Sequence, residues 1–166
     1  DIHLRRGRSE ILSQQLLQAL QTADADLILL GGDLVDQVSE LDALRALVTN
    51  MTSFAPVFAI PGNHDISVGE ELVRDGVVEA GGFWIQSRPS RFFHHGRNFE
   101  ICGPEVSTQS PADVRILCAH NPRVWKKARS RGFDLVLAGH LHGCQIVGFE
   151  ACGRLFPGGV FYPHNH

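Results

Sequence analysis

Val57-Phe58-Ala59-Ile60-Pro61-Gly62-Asn63-His64-Asp65 runs four apolar residues into Pro-Gly and then into an amide, an imidazole and a carboxylate. A short apolar run bounded by Pro and Gly reads as a buried strand that ends in a tight turn. Polar side chains beside a buried strand end are costly unless they find partners. A turn that only reversed the chain would not need three of them in succession, so this stretch is read as one wall of a site.

The same grammar recurs outward from it. Leu27-Ile28-Leu29-Leu30 ends in Gly31-Gly32-Asp33-Leu34-Val35-Asp36, Val114 to Ala119 ends in His120-Asn121-Pro122, and Leu135 to Ala138 ends in Gly139-His140-Leu141-His142. Continuous apolar runs of this length suit strands covered on both faces. Between them lie helical patterns: Ser9, as N-cap, to about Thr22; a helix begun at a Ser39 cap with Leu41, Leu44, Leu47 and Val48 inward; Glu70 to Ala80; and Pro122 to about Arg131. Phe83 to Ile85, Arg91 to Phe93 and Phe99 to Cys102 read as short strands, with a hairpin turn near Gly96. The alternation predicts an α/β fold with a mixed sheet, whose binding site lies outside the carboxyl ends of the strands.

At 166 residues, 43% hydrophobic and without repeats, low-complexity tracts or a linker, residues 1–166 are read as one domain. A net charge of -3 gives no global reason to expect nucleic acid or an anionic membrane. The basic stretch Arg123, Lys126, Lys127, Arg129 and Arg131 lacks a stacking pattern of aromatics and is read as a solvated face. No apolar stretch approaches the roughly 18 residues of a membrane span. The expected compartment is the cytoplasm, with an N-terminal targeting segment left open. Cys102, Cys118, Cys144 and Cys152 lack C-x-x-C spacing and read as buried thiols; a Cys144–Cys152 pairing across a hairpin is left open.

The strand ends bring Asp1, His3, Asp33, Asp36, Asn63, His64, Asp65, His120, His140 and His142 into one vocabulary of nitrogen and oxygen donors. Such a set suits Mn, Fe, Zn, Co or Ni better than the all-oxygen ions Ca and Mg. These donors are too many for one ion, and seven of them fit two if one carboxylate bridges. Two metals about 3.5–4 Å apart can clamp both the attacking and the leaving oxygen of an in-line displacement at phosphorus. Arg5, Arg6 and Arg8 follow the first motif and are expected to overhang this site, as a phosphate grip or as a solvated basic loop. His94 and His95, at the hairpin tip, are expected to be solvated.

Asp-x-His, Gly-Asp-x-x-Asp, Gly-Asn-His-Asp, a lone His after a strand and Gly-His-x-His occur in this order from residue 1 to residue 142. Together they resemble the calcineurin-like metallophosphoesterase superfamily. The stretch from His120-Asn121-Pro122 to Gly143-Cys144-Gln145 is similar to a bacterial branch whose last motif reads Gly-His-Thr-His-Gly-Gly-Gln, with Leu141 and Cys144 as departures. The resemblance implies a four-layer α-β-β-α sandwich with mixed sheets. It implies that Asp1, His3 and His142 hold one divalent metal and Asn63, His120 and His140 a second, with Asp33 bridging. It places His64 at the leaving-group oxygen, oriented by Asp65, and gives Asp36 the task of holding a ligand's orientation. The activity implied is hydrolysis of a phosphodiester or pyrophosphate bond by a metal-bridging hydroxide. The substrate implied is a small-molecule or lipid-linked phosphoester, and no nucleic acid is expected. The rival readings are a non-catalytic binding or scaffold module on the same fold, and a nuclease. The family pattern expects an apolar strand before Asp1 and further strands after Gln145, so the chain is read as a fragment lacking its first and final strands.

Overall fold

The computed structural model describes residues 1–85, 88–106, 111–140, 147–151 and 154–157. The first half runs through α1 (Ser9–Ala23), β1 (Ile28–Leu30), a 3-10 turn (Val38–Glu40), α2 (Leu41–Met51), β2 (Val57–Ala59), α3 (Asn63–Glu79) and β3 (Phe83–Trp84). The second runs through β4 (Ser90–His94), β5 (Arg97–Cys102), β6 (Val114–Ala119), a 3-10 turn (Pro122–Val124), α4 (Trp125–Ser130) and β7 (Leu135–Ala138). Strands β8 (Val147–Ala151) and β9 (Arg154–Pro157) form an antiparallel pair.

Strands β1, β2 and β3 form a parallel sheet in that order, with Phe58 opposite Leu29 on one side and Phe83 on the other. Strands β4 to β7 form the second sheet, in which β4 is antiparallel to β5 and the pairs β5–β6 and β6–β7 are parallel. Side chains alternate across a strand, and that alternation builds the layers. Val57 and Ala59 turn to a core made with Leu44, Leu47 and Val48 of α2 and Val73 and Val77 of α3. Phe58 turns the other way, joining Ile60, Ile85, Ile101 and Cys118 in a second core that draws on both sheets. On the far face of the second sheet, Cys102, Leu117 and Ala119 pack with Ala128 of α4. Helix, sheet, sheet and helix thus follow in four layers, as the resemblance implied.

The strands of the second half fall where the apolar runs put them; several helix starts do not. Ser9 is the first residue of α1 and not its cap, because its hydroxyl faces the Glu40 carboxylate and the Arg5 carbonyl and gives its one proton to them instead. Ser39 lies inside the 3-10 turn that precedes α2 and caps nothing. Helix α3 begins at Asn63, seven residues before the expected Glu70, and breaks at Gly69, where φ is 126°. The expected tight turn after β2 is an extended Gly62 leading directly into this helix. Trp125, the first residue of α4, is 48% exposed. Among the described residues no helix is long and apolar enough to cross a membrane.

Candidate metal centre

Four strand ends and one short bridge deliver the polar side chains. Asp33 follows β1, Asn63 follows β2, His120 follows β6 and His140 follows β7. The segment before α1 docks beside the Asp33 loop through a parallel bridge between Leu4 and Val35. The Asp33 carbonyl accepts from the N–H groups of both Ile2 and His3, each at 2.9 Å. This fixes Asp1 and His3 next to Asp33. The approach of the Asp33 loop to the start of α3 is equally close. A Cβ on Gly62 would overlap the backbone nitrogen and carboxylate of Asp33, so only glycine fits there.

Two groups of donors share Asp33: Asp1, His3 and Asp33, and Asp33, His120 and His140. Within each, the donor atoms all lie within 4.8 Å of one another. His120 Nδ1 lies 2.9 Å from the Gly31 carbonyl oxygen, which can only accept, so the ring proton sits on Nδ1. Its Nε2 faces Asp33 Oδ2 at 3.2 Å, Asn63 Oδ1 at 3.0 Å and His140 Nδ1 at 3.0 Å. A carboxylate, an amide oxygen and two imidazole nitrogens converge here on one small volume, the nitrogen–oxygen donor set of a borderline divalent cation. The donor set therefore fits a divalent metal.

His3 repeats the pattern. Its Nδ1 donates to Asp36 Oδ1 at 2.6 Å, and its Nε2 lies 3.7 Å from Asp33 Oδ2. An imidazole whose second nitrogen is held by a carboxylate or carbonyl is the usual posture of a metal-ligating histidine. The Asp1 carboxylate accepts the His140 N–H at 2.8 and 3.0 Å, tying the chain's first residue to the end of β7. Three of these residues hold positive φ: His3 at 51°, Asp33 at 52° and His140 at 73°. Such backbone costs about 1–3 kcal/mol per residue and persists where the surroundings over-determine it, characteristically at functional sites.

Asp65 is wholly buried and does not touch His64. Its carboxylate accepts from the N–H groups of Gly62, Leu34 and Val35 at 2.8, 2.8 and 3.2 Å. It thereby laces the start of α3 to the segment just after Asp33. Burial pushes its carboxyl above the usual carboxylate range, against the pull of those N–H donors. Asp36, not Asp65, stands beside His64: its Oδ1 lies 2.9 Å from His64 Nδ1, an ion-pair distance, and accepts from His3 Nδ1 at 2.6 Å. No local pattern signals this double contact, because Asp36 and His64 lie on different strand connections.

A groove of about 670 Å3 opens beside the centre, lined by His3, His64, Arg5, Arg8, Ile11 and Leu12 among others. Arg5 and Arg8 reach it; Arg6, expected with them, is exposed and outside the lining. His142, Cys144 and Cys152 lie outside the described residues.

The sequence profile of a family described as calcineurin-like phosphoesterase matches residues 1–144. Phosphodiesterase YaeI of Escherichia coli (strain K12) is 32% identical over 136 residues, covering 73% of this chain and 50% of that protein. An uncharacterized metallophosphoesterase of Helicobacter pylori (strain ATCC 700392 / 26695) is 25% identical, over 93% of this chain and 46% of its own. An uncharacterized metallophosphoesterase of Aquifex aeolicus (strain VF5) is 24% identical, over 94% and 66%. The chain spans about half the length of the first two.

Proposed function

The chain belongs to the calcineurin-like phosphoesterase family, and from that membership we propose that it is a metal-dependent hydrolase of a phosphodiester or pyrophosphate bond. Asp1, His3 and His142 would hold one divalent ion and Asn63, His120 and His140 a second, with Asp33 common to both sets. The observation that carries this reading is Asp33 Oδ2, which lies between two imidazoles, 3.2 Å from His120 Nε2 and 3.7 Å from His3 Nε2. Each of those rings has its other nitrogen already engaged. When bound, the ions supply Lewis-acid charge to the phosphoryl oxygens and lower the pKa of an attacking water.

The chain's own residues do the rest. Asp36 Oδ1 lies 2.9 Å from His64 Nδ1, so with that nitrogen facing a carboxylate, Nε2 is the atom left to hand a proton to the leaving oxygen. Because Asp36 also holds His3, proton donor and metal ligand are oriented by one carboxylate oxygen. Arg5 and Arg8 line the groove with His64 and meet the phosphate as charge-assisted donors. A groove of this size has room for a group beyond the phosphate, which favours a diester or pyrophosphate over a simple phosphate.

The test is an assay of bis(p-nitrophenyl) phosphate against p-nitrophenyl phosphate with Mn, Co, Ni, Zn or Mg, together with metal analysis. His64→Ala is expected to keep its metal and lose roughly 100-fold or more of turnover. Asp33→Ala is expected to lose metal and activity together. Equal metal content and equal activity in the two variants would overturn the assignment.

A further inference from the structure

Asp26, His94 and His95 gather at the end of the molecule away from Asp33. Asp26 stands two residues before β1, while His94 closes β4 opposite Arg97, the first residue of β5. The Asp33 centre occupies the carboxyl ends of β1, β2, β6 and β7, so this cluster lies at the other end of the sheets. It also spans them, since Asp26 belongs to the first sheet's approach and the histidines to the second sheet's hairpin.

One donor atom from each of the three residues lies within 4.8 Å of the other two. His94 Nε2 is buried and makes no hydrogen bond, although Asp26 Oδ1 is only 2.9 Å away. The pair is close but misaligned for an N–H donor. Ligand atoms around a zinc-sized ion sit about 3 to 3.5 Å apart and need no such alignment with one another. The His94 ring is held in place by Phe92, stacked at 5.4 Å, and Phe92 packs against the core between the sheets. His95 occupies the first position of a two-residue hairpin loop with φ 47°, followed by Gly96 with φ 76°. Asn is the residue favoured at the first position of such a turn. Here an imidazole stands instead, 4.0 Å from the His94 ring.

We propose that Asp26, His94 and His95 form a further transition-metal site, of the zinc class, that fastens the amino-terminal ends of the two sheets together. Two imidazoles and one carboxylate match a borderline ion and match Mg or Ca poorly. Rotation of the exposed His95 closes the remaining distance, and water completes the coordination. The site is independent of the reaction proposed for the Asp33 centre.

The test counts zinc. Chelator-treated protein is equilibrated with Zn2+, passed through gel filtration and analysed for bound metal, with melting followed in parallel. His95→Asn suits the turn and removes the imidazole; Asp26→Asn removes the carboxylate from the other sheet. Each variant is expected to bind one zinc fewer than the wild type, to melt at the wild-type temperature without zinc, and to gain less on zinc addition. Asp33→Asn, which disables the other centre, is expected to keep this zinc. Wild-type zinc content in both His95→Asn and Asp26→Asn, or loss of this zinc in Asp33→Asn, would overturn the proposal.

Discussion

A carboxylate that accepts three backbone N–H groups is worth more to this protein than one that merely accompanies a histidine. Asp65 is such a group. Asp65→Ala leaves the buried N–H groups of Gly62, Leu34 and Val35 without acceptors, each costing about 1–3 kcal/mol before relaxation. The expected outcome is a loss of roughly 3 kcal/mol in urea denaturation and weaker metal binding, since the same N–H groups position Asp33 and Asn63. A stability within about 0.5 kcal/mol of the wild type would contradict this role. Arg5 and Arg8 make a second residue-scale contrast. Each lines the groove and Arg6 does not, so Arg5→Ala and Arg8→Ala should raise KM for a diester about tenfold, the value of one charge-assisted hydrogen bond. Arg6→Ala should leave KM unchanged, and equal effects at all three positions would show a diffuse electrostatic influence instead.

The elements were legible where burial dictates the pattern and illegible where a hydrogen bond does. Val114 to Ala119 and Leu135 to Ala138 became β6 and β7 with the expected limits; β6 is buried from Ile116 to Ala119, whereas β7, at the sheet edge, leaves Leu135 and Leu137 exposed. Ser9 and Ser39 looked like caps, but the Ser9 hydroxyl is drawn to Glu40, 31 residues away, a partner no local rule names. Helix α3 defeats periodicity for a different reason. Gly69, at φ 126° and ψ 96°, interrupts it, so the turn that carries Asn63, His64 and Asp65 does not share the phase of the helix beyond. Only glycine takes that conformation readily. Gly69→Ala is therefore expected to cost about 1–3 kcal/mol. In a domain of this size that is roughly 2–10 °C in Tm by calorimetry. An unchanged Tm would mean that the interruption is not needed.

At the scale of the whole molecule the centre joins the two sheets. Asp33 and Asn63 come from the first sheet, His120 and His140 from the second. A cation bound only by the folded chain stabilises it by about 2.7 kcal/mol at a hundred times its dissociation constant. Chelation is accordingly expected to lower Tm by several degrees, and addition of Mn2+ or Zn2+ to restore it. A Tm indifferent to chelation would count against a metal held between the sheets. The cores report differently. Burial raises the Cys102 thiol to about 11, with Glu100 adding to the shift, and the Cys118 thiol to about 12. At pH 8 about a thousandth of Cys102, and less of Cys118, would be thiolate. Peptide mapping should find both unmodified by iodoacetamide in native protein and both modified in denaturant.

Residue type and order alone determined the α/β alternation, the placement of ligand-type side chains at strand ends and the match of five motifs to one family. These are local properties: an apolar run must be buried, and a polar cluster at its end must find partners. Only the tertiary structure decided which partners those are. Asp36 serves His3 and His64, Asp65 serves the backbone around Asp33, and Asp26 meets a hairpin that begins 64 residues later. A hydrogen bond or a metal site depends on ångström distances between segments far apart in the chain, and those distances exist only once the two sheets have packed.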